Sequence, residues 1–331
     1  MDPINLNFPN SVFINPYNEL EFDLDRPLNN IVNVNGTDYI PYYIDLATKG
    51  NKGGNSNLLS LHSAQDFEDV GFSKPLMAIK ISKTPLTKWG VNKNKRFEIE
   101  TDALVDCLNK ELKNVVKIYN RGECNLLKRF SDGRVRVQTF SFYTLEFAKF
   151  DLKKYMESFS LTLYEKINLC IEIANGLKEL DRLNYYHRDL KPDNIFIIDD
   201  SWKIGDLGLI GNRETDYKLD RENELIGPRG WYCPEAMNKF LTEGKGFKFK
   251  FDCKIDHQSD IFQLGKVFWY ILQGNSPEGS VKLNDFFIHD FNLFAILRTM
   301  LNHSKKRRYL KIDEVIKLLK PIHYKYFKTA S

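Results

Sequence analysis

The sequence predicts an α+β protein in which a small β-rich part precedes a larger helical part. The first observation is length, because 331 residues are about twice the size of a common domain. The second is a series of short apolar runs between residues 31 and 147, which is typical of strands. The third is apolar spacing of three and four residues between residues 163 and 320, which is typical of helices.

Composition and charge exclude several classes of protein. Hydrophobic residues make up 42% of the chain and charged residues 28%, which excludes a disordered or fibrous protein. The net charge of +4 is too small to indicate a nucleic-acid partner. No stretch approaches the ~20 apolar residues of a membrane-spanning helix, so we expect no membrane partner. Five cysteines without a C-x-x-C pair, and no visible signal peptide, predict free thiols and a cytoplasmic location.

The first part of the chain reads as strands with one long helix. The pair Asn35-Gly36 separates two short apolar runs and predicts a tight hairpin, because both residues tolerate positive φ. Leucines at four-residue spacing predict a helix over about residues 96–112. Residues 63–75 read as an inserted surface loop. Strands are predicted at 42–44, 58–61, 76–81, 115–119 and 135–147.

The second part reads as helical. Five apolar residues mark one face of an amphipathic helix between Leu163 and Leu177. Further helices are predicted around 259–273, 290–302 and 312–320. The change of pattern puts a domain boundary near residues 148–150. The predicted division is an extension with a hairpin at 1–40, a β-rich domain at 41–148, a helical domain at 149–322 and a tail at 323–331.

Two motifs follow the amphipathic helix. Residues 187–194 read H-R-D-L-K-P-D-N, and residues 206–208 read D-L-G. In this order and at this spacing they resemble the catalytic loop and the magnesium-binding loop of eukaryotic-type protein kinases, with Leu207 in place of the usual Phe. The resemblance implies a bilobal protein-kinase-like fold, with a β-rich N-lobe, a helical C-lobe, and ATP and Mg²⁺ as cofactors.

The resemblance also assigns roles to single residues. It implies that Asp189 orients the attacking hydroxyl and accepts its proton. It implies that Asn194 and Asp206 hold magnesium, and that Lys191 neutralises the γ-phosphate. A lysine at that place is typical of the serine/threonine-directed branch. The alternative is that these Asp and Asn residues form turns or caps, and their order along the chain favours the kinase interpretation.

A predicted strand earlier in the chain carries a lysine that fits the same family pattern. Residues 77–80 read M-A-I-K, the form of the family's nucleotide-anchoring strand, which implies that Ala78 and Lys80 contact the nucleotide. The lysine needs a carboxylate partner on the predicted helix. Glu100 and Glu98 are both candidates, and they lie about 200° apart on a helix, so only one can face the lysine. Glu100 stands four and eight residues before leucines, as the paired glutamate of the family does before its apolar positions, so the resemblance favours Glu100.

The glycine-rich loop departs furthest from the family pattern. Its best register runs over residues 51–58 and implies nucleotide contacts at Asn51, Gly53, Gly54, Ser56 and Leu58. Gly53 keeps the middle glycine, whereas Asn51 and Ser56 replace the outer ones. An ordinary Gly/Asn turn is the alternative interpretation.

The segment T-L-E-F-A at residues 144–148 resembles the family hinge. By that resemblance Leu145 guards the back of the nucleotide pocket, and backbone groups of Glu146 and Ala148 bind adenine. Asp151 is placed to reach the ribose. The alternative is an edge strand followed by a helix cap at Asp151.

Further matches lie downstream. The resemblance pairs Glu235 with Arg308 and makes Asp260 a brace for the catalytic-loop backbone. Pro228 stands where serine/threonine-directed members usually carry a threonine that bridges base and lysine. Arg188 is of the type that holds a phosphate, so Thr215, with Tyr217 as the second choice, is a candidate for autophosphorylation.

Together these matches predict a magnesium-dependent protein serine/threonine kinase that acts on a protein substrate of unknown identity. A pseudokinase that binds nucleotide with little turnover is the first alternative, because of the altered glycine loop. A kinase for small metabolites is the second alternative, and the C-P-E segment at residues 233–235 argues against it.

Overall fold

The computed structural model describes residues 1–44, 55–87 and 91–330. The chain divides into two compact units. The first comprises Met1–Leu108 and Lys117–Phe147, and the second Asn109–Val116 and Ala148–Ser331. The first unit is rich in strands and the second in helices, as the α+β prediction requires.

The first unit contains the first nine strands and, apart from its last residue, both of the first two helices. The strands are β1 (Ile4–Asn7), β2 (Phe13–Ile14), β3 (Leu20–Glu21), β4 (Val32–Val34), β5 (Thr37–Tyr43), β6 (Ser56–Ser63), β7 (Met77–Ser82), β8 (Ile118–Arg129) and β9 (Val135–Glu146). The helices are α1 (Ala64–Val70) and α2 (Val91–Asn109).

These nine strands form one sheet, in the order β3-β2-β8-β9-β7-β6-β5-β4, with β1 also pairing with β8. The central pairs are antiparallel, whereas β1 and β2 lie parallel to β8. The predicted hairpin at Asn35-Gly36 is confirmed, because it joins the antiparallel strands β4 and β5 and both residues have positive φ.

The two faces of this sheet are covered by different segments. Successive side chains of a strand point to opposite faces of the sheet. The Lys80 side chain therefore lies on one face, and those of Ile79 and Ile81 lie on the other. On the Lys80 face, α2 packs on the sheet through Phe97 and Tyr143, whose ring centroids are 5.1 Å apart. On the other face the N-terminal segment contributes to the hydrophobic core with Leu6, Phe8, Val12, Ile14, Leu20 and Phe22.

The N-terminal segment therefore completes the β-rich unit. Ile4 pairs with Gly122 of β8, where φ is +155° and an added Cβ would lie 1.8 Å from the Ile4 carbonyl oxygen. Only glycine allows this approach. Lys128 of β8 donates to the Asn15 carbonyl oxygen at 2.6 Å and fixes the same segment.

Several predicted elements differ from the structure. The strand predicted at 115–119 begins at Ile118 and continues to Arg129. The helix predicted over 96–112 runs over Val91–Asn109, and Glu111 then takes a left-handed φ of +54°. The surface loop predicted at 63–75 contains helix α1, which Ser63 caps by accepting from the Asp66 N–H. The helix predicted over 312–320 does not stop before Pro321 but continues to Ala330, so residues 323–330 are helical.

The second unit contains the remaining elements. Its strands are β10 (Phe150–Asp151), β11 (Tyr185–Tyr186), β12 (Ile195–Ile198), β13 (Ser201–Ile204) and β14 (Gly211–Asn212). Its helices are α3 (Leu152–Ser158), α4 (Leu163–Arg182), α5 (Pro234–Thr242), α6 (His257–Gln273), α7 (Phe291–Met300) and α8 (Ile312–Ala330).

Helix α4 is the predicted amphipathic helix. It begins with a capping box in which Thr162 and Glu165 satisfy each other's backbone N–H groups. Its apolar face includes Ile167, Ala174 and Leu177, which are buried. The helix packs on α8, α6 and β13 and so forms the centre of the second unit.

Helix α6 is buried along most of its length and positions the site described next. Asp256 caps its first turn, and Gly274 ends it in a left-handed conformation with φ of +79°. Within residues 1–44, 55–87 and 91–330, no helix is long and apolar enough to cross a membrane.

Candidate active site

In the β-rich unit, Lys80 of β7 and Glu100 of α2 form an ion pair. The Lys80 Nζ lies 2.7 Å from the Glu100 Oε1, and the side chains are only 13% and 3% exposed. The Lys80 ammonium also lies 5.7 Å from the centre of the Tyr143 ring. Glu98 is on an exposed part of the helix, so the structure places the lysine with Glu100 and not with the alternative glutamate.

The strands around Lys80 set the register of the other predicted nucleotide contacts in this unit. Leu58 pairs with Lys80, and Ser56 pairs with Ser82, across β6 and β7. Ala78 pairs with Leu145 across β7 and β9. Asn51, Gly53 and Gly54 lie outside the described residues.

The predicted hinge residues begin at the end of β9. The Glu146 carboxylate accepts the Lys117 N–H at 2.8 Å, and the Glu146 N–H donates to the Lys117 carbonyl oxygen at 3.0 Å. In the second unit, Asp151 caps α3 by accepting the Lys154 N–H at 2.7 Å. The helix cap that the sequence offered as the alternative role of Asp151 is therefore present.

In the helical unit, three charged or amide side chains meet on the loop between β11 and β12. The Asn194 Nδ2 donates to both the carbonyl oxygen and the Oδ2 of Asp189, at 2.8 Å each. The Lys191 Nζ lies 3.7 Å from the same Oδ2. Asp189 keeps 14% of its side chain exposed, so its carboxylate is held in place yet reaches the surface.

Side chains also hold the backbone of this loop. The two carboxylate oxygens of Asp260 in α6 accept the N–H groups of His187 and Arg188, at 2.7 and 2.8 Å. The expectation that Asp260 braces the loop is thus confirmed. Burial raises the pKa of Asp260 to about 7, and the two backbone hydrogen bonds act in the opposite direction.

His187 is the second internal support of the loop. Its Nδ1 accepts the Asp189 N–H at 3.2 Å, and its Nε2 faces the Gly205 carbonyl oxygen at 3.1 Å. This pair of partners requires the neutral imidazole with its proton on Nε2. Complete burial lowers the pKa of His187 to about 4, in agreement with the neutral form.

Asp206 follows β13 and takes a left-handed φ of +55°. The preceding Gly205 N–H donates to the Asn194 carbonyl oxygen at 2.9 Å, which brings the segment of Asp206 beside Asn194. Leu207 is fully buried, whereas Asp206 is exposed. Leu207 anchors the turn that presents the carboxylate.

The donor set of Asn194 and Asp206 fits a hard divalent cation. The Asn194 Nδ2 is committed to Asp189, so its Oδ1 is the atom that can face a cation. Carboxylate and amide oxygens are the ligands that magnesium takes, usually with water and phosphate oxygens completing the shell. Among the described residues, no cluster of three or more His, Cys, Asp or Glu side chains could hold a metal alone.

Arg188 has a partner that the sequence did not indicate. Its Nη1 and Nη2 donate to the two carboxylate oxygens of Asp220, at 2.6 and 3.1 Å, and its Nε donates to the Leu209 carbonyl oxygen at 2.6 Å. The side chain is only 11% exposed. Asp220 therefore takes the place on Arg188 that the sequence left for a phosphate.

The predicted pair of Glu235 and Arg308 is confirmed. Both Arg308 amino groups donate to the Glu235 carboxylate, at 2.8 and 3.0 Å, and both side chains are buried. This bidentate pair fixes the start of α5 against the segment before α8.

The comparison with known families agrees with these arrangements. The model of the family "Protein tyrosine and serine/threonine kinase" matches residues 107–301, which is more than half of the chain. The chain belongs to this protein kinase family. The resemblance seen in the sequence is thus confirmed, and the β-rich and helical units are the N-lobe and the C-lobe of a bilobal kinase fold.

Curated kinases from several organisms are similar to parts of the chain. The mouse "Dual specificity protein kinase TTK" is 21% identical over 57% of this chain and 22% of its own length. The Candida albicans "Mitosis inhibitor protein kinase SWE1" is 38% identical over 27% of this chain and 7% of its own length. The Arabidopsis "Inactive serine/threonine-protein kinase/endoribonuclease IRE1-like" is 30% identical over 38% of this chain and 22% of its own length. The chain thus spans less than a quarter of each of these relatives.

The motif residues of this member of the kinase family therefore fall into two local groups. The N-lobe joins Lys80 to Glu100, and the C-lobe joins Asp189 to Lys191 and Asn194. Sequence reasoning missed Asp220 and did not single out Gln263 of α6, which contacts the loop between β11 and β12. The only sequence signal for Gln263 was its place three residues after Asp260.

Proposed function

We propose that this protein is a serine/threonine kinase that transfers the γ-phosphoryl group of ATP to a protein hydroxyl in a magnesium-dependent reaction. The observation that carries the proposal is the Asp189 carboxylate held between Asn194 and Lys191 on a braced loop. Phosphoryl transfer needs positioning and charge neutralisation more than covalent chemistry, and this group supplies both.

The proposed reaction uses a residue of the C-lobe at each step. The hydroxyl oxygen bonds to the γ-phosphorus, the bond from that phosphorus to the β,γ-bridging oxygen breaks, and ADP leaves. Asp189 orients the hydroxyl and accepts its proton. Lys191 balances charge on the transferred group. Asn194 and Asp206 would hold magnesium, which neutralises the phosphate oxygens when bound.

The N-lobe is proposed to bind the nucleotide. Lys80, fixed by Glu100, would contact the α- and β-phosphates. Ala78, Leu58 and Leu145 would line the adenine site, with the backbone of Glu146 and Ala148 binding the base and Asp151 the ribose. The segment with Asn51, Gly53, Gly54 and Ser56 is proposed to cover the phosphates. In this scheme residues 41–148 and 149–322 are the catalytic lobes, 1–40 an extension and 323–331 a tail.

Substitution of the base tests the proposal. Asp189→Asn removes the proton acceptor and keeps the side-chain size, so turnover should fall by between about 100-fold and 10,000-fold. Affinity for ATP with magnesium should stay unchanged, since Asp189 is not one of its ligands. Asp193→Asn is the matched control, because Asp193 is exposed on the same loop. Wild-type turnover by the Asp189→Asn protein would refute the proposal.

Peptides that differ only in the acceptor hydroxyl test the substrate class. We expect phosphorylation of serine or threonine peptides and not of the tyrosine peptide, because Lys191 is typical of the serine/threonine-directed branch. One similar kinase is named as dual specific, so all three peptides are needed. Comparable rates on the tyrosine peptide would contradict the serine/threonine assignment.

A nucleotide-binding pseudokinase is the second candidate function. It is favoured by Asn51 and Ser56 in place of the outer glycines of the phosphate-covering loop. A wild-type protein that binds ATP with magnesium but gives no turnover on any peptide would support this second candidate.

We also propose autophosphorylation on the exposed Thr215, with Tyr217 as the second choice. Mass spectrometry after incubation with ATP and magnesium should find phosphate on Thr215 in the wild type and none in Asp189→Asn. An unmodified loop in a fully active protein would exclude this step.

A further inference from the structure

The side chain of Gln263 contacts the backbone on both sides of Asp189. Its Nε2 donates to the Arg188 carbonyl oxygen at 3.3 Å, and its Oε1 accepts the Leu190 N–H at 3.3 Å. Gln263 is 1% exposed, so water does not compete for either contact. One carboxamide from α6 therefore spans the residue proposed as the base.

These contacts complete a set of hydrogen bonds along the loop. The N–H groups of His187 and Arg188 are bound by Asp260, and that of Asp189 by the His187 ring. Gln263 takes the next N–H, that of Leu190. Four successive N–H groups thus have side-chain acceptors, and Arg188 keeps a left-handed φ of +66° within this framework.

The lack of a side chain at Gly227 leaves room for the long side chain of Gln263. A Cβ added to Gly227, where φ is +115°, would lie 3.2 Å from both the Gln263 Nε2 and the Arg188 carbonyl oxygen. The next residue is Pro228, which has no hydroxyl and no N–H to offer the loop. The hydrogen-bonding group that the loop finds here is the carboxamide of Gln263 in α6.

We propose that Gln263 is a positioning residue for the phosphoryl transfer. It fixes the peptide groups before and after Asp189 and so sets the direction of the carboxylate toward the attacking hydroxyl. The inference rests on the proposed function, because it acts through Asp189.

The first test replaces Gln263 by methionine, which has similar volume and no hydrogen-bonding amide. We expect kcat to fall between about 10-fold and 100-fold, since a misplaced base loses alignment in the transition state. The KM for ATP should stay within about 2-fold of wild type, because Arg188 and Leu190, whose backbone the Gln263 side chain binds, are not among the residues proposed to hold the nucleotide.

Gln258→Met is the matched control. Gln258 lies in the same helix, and its Nε2 also donates to backbone carbonyl oxygens, those of Lys305 and Tyr309, at 3.1 and 3.2 Å. A loss of kcat that is common to both variants would show a general effect of α6 and overturn the proposal.

A double-mutant cycle separates positioning from stability. In the Asp189→Asn background, Gln263→Met should change the residual turnover by less than about 2-fold, because there is no base left to position. Losses that multiply would mean that Gln263 does not act through Asp189. If Asp189→Asn alone keeps wild-type turnover, the proposed function fails first, and the cycle shows which statement is wrong.

Hydrogen exchange gives a readout that does not depend on activity. The Leu190 amide should exchange faster in Gln263→Met than in the wild type or in Gln258→Met. Where methionine prevents folding, Gln263→Asn keeps the polar group but shortens its reach, and the same exchange should be seen. Unchanged exchange at Leu190, or wild-type kcat in a folded Gln263 variant, would overturn the inference.

Discussion

At the scale of single residues, the position of the Lys80 ammonium, which is proposed to bind the nucleotide, depends on which glutamate faces it. Two glutamates stand two positions apart on α2, and helical geometry allows only one of them to reach Lys80. Glu100 is buried and bonded to Lys80 at 2.7 Å, whereas Glu98 is exposed. The two residues therefore form a natural pair for comparison.

We predict that Glu100→Gln lowers turnover by about 100-fold, because the lysine loses the charge that orients it. The effect should be accompanied by weaker ATP binding. Glu98→Gln should behave as wild type in steady-state kinetics with varied ATP. Equal losses in the two variants would show that the ion pair does not organise the site.

The buried His187 ring leads to a second prediction, which concerns how the stability of the protein depends on pH. Its pKa is about 4 in the folded protein and about 6.5 in an unfolded chain, so the neutral ring stabilises the fold above pH 6.5. That contribution is lost as pH falls from 6.5 to 4, by about 1.4 kcal/mol per pH unit and by about 3 to 4 kcal/mol in all. Protonation puts a hydrogen on Nδ1, which must then give up the Asp189 N–H.

Denaturant unfolding at several pH values checks this. The difference in the free energy of unfolding between wild type and His187→Gln should shrink as pH falls through this range. Asp260, whose raised pKa acts in the opposite direction, is present in both proteins and cancels in the difference. A difference that stays constant with pH would contradict the neutral buried ring.

The sequence indicated those candidate site residues that belong to short motifs. Lys80, Asp189, Asn194 and Asp206 stand at family spacing, so their order alone suggested one kinase site. Gln263 could not be found in this way, because its contacts join residues far apart in the chain and depend on the packing of α6. The Arg188–Asp220 pair was missed for the same reason. The partners of these side chains are set by tertiary packing, which no local sequence pattern encodes.

At the scale of elements, the N-terminal segment is the largest addition to what the sequence showed. Strands β1, β2 and β3 are only two to four residues long, so they lack the long apolar runs from which strands such as β9 were predicted. They form because β8 offers them an edge and the sheet offers an apolar face. The Asn35-Gly36 hairpin, in contrast, was predictable, since its turn is specified by two adjacent residues.

We predict that Ile14→Ala destabilises the protein by about 2–5 kcal/mol, because Ile14 is fully buried in the core beneath the sheet. Leu24→Ala is the control, since Leu24 is 45% exposed, and its effect should be within about 0.5 kcal/mol. Both values come from denaturant unfolding. Equal, small effects would mean that the segment does not contribute to the core.

Tertiary packing also determines where α8 ends. The local sequence favours a helix end at Pro321, but the helix continues beyond it. Pro321 lacks an N–H and usually interrupts a helix. Beyond it, His323 stacks on Tyr164 and Lys325 bonds to Asp290 at 2.8 Å. These tertiary contacts hold the last turns in place, so the helix continues past the proline.

At the scale of the whole molecule, a kinase that binds ATP and magnesium must gain stability from them. A ligand at about 100 times its Kd adds about 2.7 kcal/mol to the free energy of unfolding of the protein that binds it. We predict that ATP raises the melting temperature more with magnesium than without it. In Asp206→Asn the magnesium-dependent part should disappear, because one proposed ligand is lost.

Asp200→Asn serves as the control for this measurement. Asp200 is exposed in the turn between β12 and β13, at a positive φ that asparagine tolerates. Its melting temperature should respond to ATP and magnesium as the wild type does. A magnesium effect that survives Asp206→Asn would remove Asp206 from the metal site.

The pairing of β1 with β8 has a consequence for biosynthesis. Ile4 emerges from the ribosome long before Gly122, the residue with which it pairs in β8, has been synthesised. Until then the apolar side chains of the first strands have no edge to join and are available to chaperones or to neighbouring nascent chains. The N-lobe is therefore completed only after α2 and β8 have emerged, although β1 and β2 are translated before either of them.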